Sequence, residues 1–212
     1  MSIDQSERLN PVTAFDFTSD WFSRNIPIWT PLLTNLSPSR ILEIGSHEGR
    51  STCFLIELLS TRATLEVHCV DVWGPLEAED TDTYVRFRRN TDLAISRAKN
   101  EVLLTHYRGL SENRLLDIIN SVGLGYFDFF YIDGGHESTT VLIDALLAFK
   151  LARVGALIIF DDYLWAYPEP MKVDLIGNPK LAIDSFTSIF WRKIRILHGL
   201  PLYQIFIQKL VQ

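Results

Sequence analysis

The chain has 212 residues, of which 47% are hydrophobic, 12% aromatic and 22% charged, with a formal net charge of −6. That length suits one domain with a sizeable core, and the composition excludes a disordered half. The acidic balance argues against a nucleic-acid partner, which needs a concentrated basic surface. The short basic runs Arg86-Phe87-Arg88-Arg89 and Arg192-Lys193-Ile194-Arg195 read as solvated faces. Cys53 and Cys69 cannot build a disulfide framework, and neither sits in a CxxC pair, so zinc and redox motifs have no support. The first ten residues, MSIDQSERLN, have no charged region followed by an apolar run and do not read as a signal peptide. No uncharged apolar run approaches the ~18 residues of a membrane span. The expectation is a soluble, cytoplasmic protein with no membrane partner.

Residues 1–38 are the least regular part. Phe15, Phe17, Trp21, Phe22 and Trp29 are dense aromatics, while Pro11, Pro27, Pro31 and Pro38 interrupt any long helix. One or two short helices over 21–36 are expected, packed on a main domain of residues 39–212. The aromatics suit either the cover of an acceptor pocket or a homodimer contact. From Arg40 the pattern turns regular. Residues 41–44 read as a short strand, followed by the turn Gly45-Ser46-His47-Glu48-Gly49-Arg50-Ser51 and a helix carrying Cys53, Phe54, Ile56, Leu58 and Leu59. Residues 65–70 form the next strand, which ends on Asp71. A loop with Trp73 and the acids Glu77, Glu79, Asp80 and Asp82 leads to a helix over 84–99. A third strand over 102–107 closes on Arg108-Gly109-Leu110-Ser111, and a helix over 112–121 follows.

The stretch from Tyr126 to Trp165 is the most informative. Residues 127–132 and 156–160 are apolar runs too short and too β-branched or aromatic for helices. The first stops on Asp133 and the second on Asp161 and Asp162. Between them Val141, Leu142, Ala145, Leu146, Ala148, Phe149 and Ala152 give an apolar face at helical spacing. Strand, helix, strand makes a βαβ unit with a right-handed crossover. Three carboxylates then meet at the carboxyl edge of one sheet, where open α/β sheets bind ligands. A Pro-containing loop over 164–179 and a helix over 181–191 come next. Strands over 193–197 and 202–208, around His198-Gly199-Leu200-Pro201, read as a terminal antiparallel hairpin.

Glycines at the first strand-to-helix turn let backbone approach a ligand closely. The spacing Gly45-xxx-Gly49 is not the dinucleotide pattern GxGxxG, which disfavours an NAD-dependent oxidoreductase, and no Walker lysine-serine pair is present. Asp71 ends the second strand about twenty residues on, where an acid can accept both hydrogen bonds of a ribose diol. Turn and acid together suggest an adenosine-bearing cofactor without a pyrophosphate.

The run Ile41-Leu42-Glu43-Ile44-Gly45-Ser46-His47-Glu48-Gly49-Arg50-Ser51 resembles motif I of class I S-adenosylmethionine-dependent methyltransferases, and Asp71 falls at their ribose-binding acid. Tyr131-Ile132-Asp133-Gly134-Gly135-His136, followed by Gly155-Ala156-Leu157-Ile158-Ile159-Phe160-Asp161-Asp162-Tyr163, resembles a subgroup of small-molecule O-methyltransferases. That subgroup includes macrocin-type sugar O-methyltransferases and cephalosporin-hydroxylase-like proteins. The resemblance implies an α/β, Rossmann-like, seven-stranded and mostly parallel sheet with helices on both faces and an antiparallel last strand. It implies S-adenosyl-L-methionine as cofactor. Glu43, Gly45 and Gly49 would hold its methionine end, Ser46, Ser51 and Asp133 would join the cofactor-binding residues, Asp71 would hold the ribose, and Trp73 and Ser111 would lie near the adenine. Ser111 reads equally well as a helix cap, although Arg114 denies it a full capping box, and Trp73 equally well as a loop anchor.

Like charges this close disfavour ionisation unless a cation neutralises them. Carboxylate oxygens suit Mg²⁺, Mn²⁺ or Ca²⁺, so Asp133, Asp161 and Asp162 form a candidate metal site. A metal there would orient substrate hydroxyls and lower the pKa of one. His136 is a candidate general base and Asp133 the alternative. No lysine occurs between Lys99 and Lys150, which speaks against a catechol-type base. His68 and His106 lie within strands and read as satisfied residues, His47 shapes the cofactor loop, and His198 belongs to a turn. The place of an Asn-Pro-Pro-aromatic run holds Asp133-Gly134-Gly135-His136 instead, which favours methylation of oxygen over nitrogen. The expected acceptor is a small hydroxylated molecule, a sugar or polyphenol, in a pocket built by residues 1–38, 74–83 and 164–180. A non-catalytic S-adenosylmethionine-binding module is the second reading.

Overall fold

A computed structural model describes residues 14–165, 174 and 176–212. The expected segment before Ala14, with Pro11, and most of the loop over 164–179 lie outside the described residues. Alternation along the strands decides the layering. In β1 (Arg40–Ile44), Leu42 and Ile44 join one core cluster and Ile41 the other. The same period of two puts Phe130 and Ile132 of β4 (Phe127–Ile132) on the first face and Phe129 and Tyr131 on the second. Helices α1 (Ile26–Leu36), α2 (Arg50–Leu59) and α3 (Asp82–Arg97) cover one face. Helices α4 (Ser111–Val122), α5 (Ser138–Leu151) and α6 (Pro179–Phe190) cover the other. Strands buried on both faces need the near-continuous apolar composition that β4 has.

With β2 (Leu65–Asp71), β3 (Val102–Arg108), β5 (Ala152–Phe160), β6 (Ile194–Ile196) and β7 (Ile205–Lys209), the sheet has seven strands in the order β3-β2-β1-β4-β5-β7-β6. β7 runs antiparallel to both neighbours, and the remaining pairings are parallel. This is the Rossmann-like sheet with a C-terminal antiparallel pair that the resemblance implies. The order reverses between β2-β1 and β4-β5, and that switch point opens the crevice at the carboxyl edge.

Three local differences from the sequence reading have physical reasons. Pro31 lies inside α1 without ending it, because the missing N–H removes one helical bond while Trp29 and Leu33 of the same helix are fully buried. β5 starts at Ala152 rather than 156, with a register shift between Phe127 and Phe129 on β4. Ala152 is held there by Lys209, whose buried ammonium donates to the carbonyls of Phe149 (2.9 Å) and Ala152 (2.7 Å), the exposed carbonyl end of α5. The connection from β6 to β7 is no tight turn. Tyr203 accepts a 3.0 Å bond from the backbone of Tyr163, and Gln204 turns inward.

The described part of the N-terminal segment belongs to the core. Phe22 and Trp29 are buried, and the Trp29 ring meets Phe129 and Tyr131 edge-on at 5.5 and 4.7 Å. Among the described residues no helix is long and apolar enough to cross a membrane.

Candidate active site

One cavity of about 790 Å³ lies along the carboxyl edge of the sheet, within the roughly 300–1,000 Å³ of small-molecule sites. Gly45, Asp71, Ser111, Asp133, His136, Asp161 and Asp162 all line it. Glu43, Gly49 and Trp73 do not, and Ser46 and Ser51 border a smaller cavity of about 50 Å³ beside Gly45.

The first half is built on β1, β2 and β3. Gly45 has φ +86°, and a Cβ there would stand 1.9 Å from the carbonyl oxygen of Asp133. Only glycine lets the two strand ends come this close. Asp71 is fixed by backbone: one carboxylate oxygen accepts from His47 N–H (2.8 Å), the other from Trp73 N–H (2.6 Å). Each oxygen keeps a further lone pair for a diol. Glu43 is wholly buried and accepts from the hydroxyls of Ser46, Ser51 and Thr52 and from the Cys69 thiol. Burial raises its pKa over the lowering effect of those donors. This network holds the turn from beneath. Trp73 likewise faces inward, packed against Tyr84 and Phe87, with its indole N–H on the His47 carbonyl at 2.7 Å. It anchors the loop, and Val72 takes its place in the cavity wall. Ser111 is the first residue of α4 with Leu110 as its cap residue, so Ser111 is not the N-cap.

The second half is built on β4, β5 and the β6–β7 connection. His136 Nε2 lies 2.9 Å from Asp162 Oδ2. Asp162 has φ +56°, a left-handed conformation costly outside glycine, and His47 and Trp73 at the first half share it. Asp133, His136 and Asp162 each offer one ligand atom, all within 4.8 Å of one another. Asp161, expected among the metal ligands, is outside this group. Its oxygens are taken by the Tyr131 hydroxyl, Gln204 Nε2 (2.8 Å) and the Asp162 N–H (2.7 Å). Tyr131 also reaches Asp133 Oδ2 at 2.9 Å, and Gln204 is fixed by Trp29 Nε1 at 2.9 Å.

The electrostatics follow from crowding. Burial first, then the charges of Asp161 and Asp162, push Asp133 well above the usual carboxylate range, over the opposing Tyr131 hydrogen bond. Burial also raises Asp161 despite its three donors. Asp162 moves the other way. Burial would raise it, but hydrogen bonds from His136 and Tyr203 and the charges of His136 and Arg24 hold it low.

Sequence reasoning missed Tyr131, Gln204, Tyr203 and Arg24. Tyr131 had a usable signal, since it stands two residues before Asp133 on the same strand face. Gln204 had none. The acidic loop over 74–83 was expected beside the acceptor but lines no part of the cavity. Arg108 pins it to β3 through the carbonyls of Val72, Pro75 and Glu79. Trp21, Arg24, Trp165 and Tyr203 line the cavity instead.

Residues 42–163 match a family model described as methyltransferase domain. No curated protein sequence matches the chain. Among solved structures the fold is similar to the O-methyltransferase from Bacillus cereus in complex with SAH, with a TM-score of 0.59, 21% identity, and 92% of this chain and 84% of that one covered. It is also similar to the O-methyltransferase TomG from Streptomyces achromogenes in complex with SAM (0.57, 16%, 87% and 78%). A third is the MycE methyltransferase of the mycinamycin biosynthetic pathway, in complex with Mg, SAH and mycinamycin VI (0.58, 15%, 91% and 51%). At these identities the likeness concerns the fold. The family match covers more than half of the sequence and spans Gly45, Asp71, Asp133 and the paired aspartates. The chain therefore belongs to the methyltransferase-domain family, S-adenosylmethionine-dependent enzymes of the class I fold.

Proposed function

We propose that the protein methylates a hydroxyl oxygen of a small hydroxylated molecule, sugar-like or polyphenol-like, with help from a divalent cation. The observation that carries this reading is the clustering of Asp133, His136 and Asp162 within 4.8 Å in the cavity that Asp71 also lines. The donor set fits a cation: two carboxylates suit Mg²⁺ or Mn²⁺, His136 stays beside them on Asp162, and the raised Asp133 marks negative charge in excess. Asp133 and Asp162 would hold it, with Asp161 kept back by Tyr131 and Gln204. The Mg recorded with MycE supports the same choice. Bound there, the cation would hold a substrate hydroxyl and lower its pKa, while S-adenosylmethionine brings a methyl group on a sulfonium.

The protein's own part is positioning and proton removal. Asp162 orients the His136 ring. With Nε2–H directed at Asp162, Nδ1 is left to accept the hydroxyl proton. Gly45 brings the β1 and β4 ends together so that a methyl donor seated on Asp71 faces the oxygen so activated. Holding donor and acceptor in line supplies much of the rate.

Calorimetry with S-adenosylmethionine and methyl-transfer assays over a hydroxyl-compound panel, with and without EDTA, test this. Activity should fall at least about tenfold in EDTA and return with Mg²⁺. Asp162→Asn should lower kcat about 10²-fold, the range of a positioned base, and leave cofactor affinity within about threefold. Activity indifferent to EDTA would sink the cation. Cofactor binding without turnover on any acceptor would leave a binding module.

A further inference from the structure

Charge in the cavity is distributed unevenly. Its lining carries four carboxylates, Asp71, Asp133, Asp161 and Asp162, and among the described lining residues Arg24 alone is permanently cationic. Arg24 is the middle residue of the 3₁₀ turn Ser23–Asn25, just before α1, at the proposed acceptor end. Its guanidinium lies 4.3 Å over the ring of Tyr203, and Tyr203 hydrogen-bonds Asp162. Stacking and a hydrogen bond to the Tyr203 hydroxyl hold the guanidinium in place and leave most of its five N–H donors for a guest. Among the described residues no carboxylate lies within ion-pair distance of Arg24, in contrast to Arg50, Arg86 and Arg88. Flat rings border the same space. Trp21 packs on His47 at 5.1 Å with 65% of its surface exposed, and Trp165 packs on His136 at 4.2 Å.

An oriented guanidinium outside ion-pair distance of any described carboxylate, bordered by aromatic rings, fits a ring compound that carries an oxyanion. We propose that the acceptor is a hydroxylated ring compound bearing a carboxylate or phosphate, which Arg24 receives while the ring lies among Trp21, Trp165 and Tyr203. This assignment rests on the proposed methyl-transfer reading, because it takes this end of the cavity for the acceptor's. Arg24 acts as a specificity residue. Its fork fixes the acid, and the distance from acid to hydroxyl then selects which oxygen reaches His136.

The test uses matched acceptors that differ only in the acid: 3,4-dihydroxybenzoate against catechol, and glucose 6-phosphate against glucose. Binding to the full-length protein saturated with S-adenosylhomocysteine is read by calorimetry, and methyl transfer by kcat/KM. In at least one pair the acid should win by tenfold or more, and the winning pair identifies carboxylate or phosphate. Arg24→Gln should erase the preference through KM, costing the acidic member at least tenfold more than the neutral one, while Arg24→Lys should restore part of it. If Arg24 only balances Asp162, the variant weakens acidic and neutral members alike, and the proposal is overturned. Equal binding of both members by the wild type overturns it too, as does no acid binding at millimolar concentration. Transfer to the neutral members would then leave the proposed function standing. Absence of transfer to any acceptor, with cofactor bound, overturns the proposed function instead.

Discussion

The two halves of the cavity are held in opposite ways. Around Asp71 the carboxylate is satisfied before any ligand arrives, by two backbone N–H groups, and the buried Glu43 network locks the turn. Around Asp133 three aspartates crowd together, and Asp133 has to share the Tyr131 proton with Asp161. The first half is preorganised by backbone. The second stores repulsion that a cation or a proton must relieve. The difference suits the roles proposed for each half: one receives the same cofactor at every turnover, the other changes charge during the reaction.

The largest effect should come from forcing the halves apart. Gly45→Ala places a methyl group 1.9 Å from the Asp133 carbonyl at a φ of +86°. Overpacking costs about 1–3 kcal/mol and often more, and a left-handed non-glycine residue roughly 1–2 kcal/mol. A loss of about 4 kcal/mol in urea unfolding, with at least tenfold weaker S-adenosylmethionine binding, is expected. Wild-type stability and affinity in this variant would mean that the two strand ends are not locked together and that the halves are independent.

This contrast also explains what the sequence could disclose. Gly45 and Asp71 act through their own backbone neighbourhood, at fixed offsets from a strand, so a local pattern carries them. The seven-stranded topology was legible for the same reason, from strand, helix and hairpin signals in order. The role of Asp161 was not. Its partners Tyr131 and Gln204 lie 30 and 43 positions away, and Trp29, which fixes Gln204, lies 175 positions from it. Only the insertion of β7 beside β5 brings Gln204 there. Trp73 was open in the sequence between an adenine contact and a loop anchor, and the ring that the structure shows is buried against Tyr84 and Phe87.

Between the halves sits Asp144 of α5, which sharpens the comparison through pH. It is 1% exposed and lies under Gly134, with the Ser111 hydroxyl as its one nearby donor among the described residues. Burial pushes its pKa to about 6, from 3.8. A raised folded-state value means that the native protein holds the proton more tightly than the unfolded chain. Its cost is therefore absent below about pH 4, grows as pH rises through 6, and is complete above, at about 3 kcal/mol. Asp144→Asn should remove that dependence. Urea midpoints of the two proteins should diverge between pH 4 and 7, with the variant gaining about 1–3 kcal/mol at pH 7. Parallel profiles would show that Asp144 stays ionised at no cost, and that the halves meet over a satisfied group.

The smallest effect concerns the cofactor half alone. Trp73→Phe keeps an aromatic ring against Tyr84 and Phe87 and removes the indole N–H from the His47 carbonyl. One buried hydrogen bond of this kind is worth about 1 kcal/mol, and the smaller ring adds a modest packing loss, so the midpoint of unfolding should drop slightly. Cofactor affinity should stay within threefold, because Val72 and Asp71, rather than the Trp73 ring, form that wall of the cavity. Calorimetry separates the two readings of this residue. Tenfold weaker binding at unchanged stability would put the ring against the adenine and leave the first half less sealed than its hydrogen bonds indicate. Lower stability at unchanged affinity would make Trp73 the anchor that turns His47 N–H toward Asp71, a support acting on the cofactor only through the carboxylate it helps to fix.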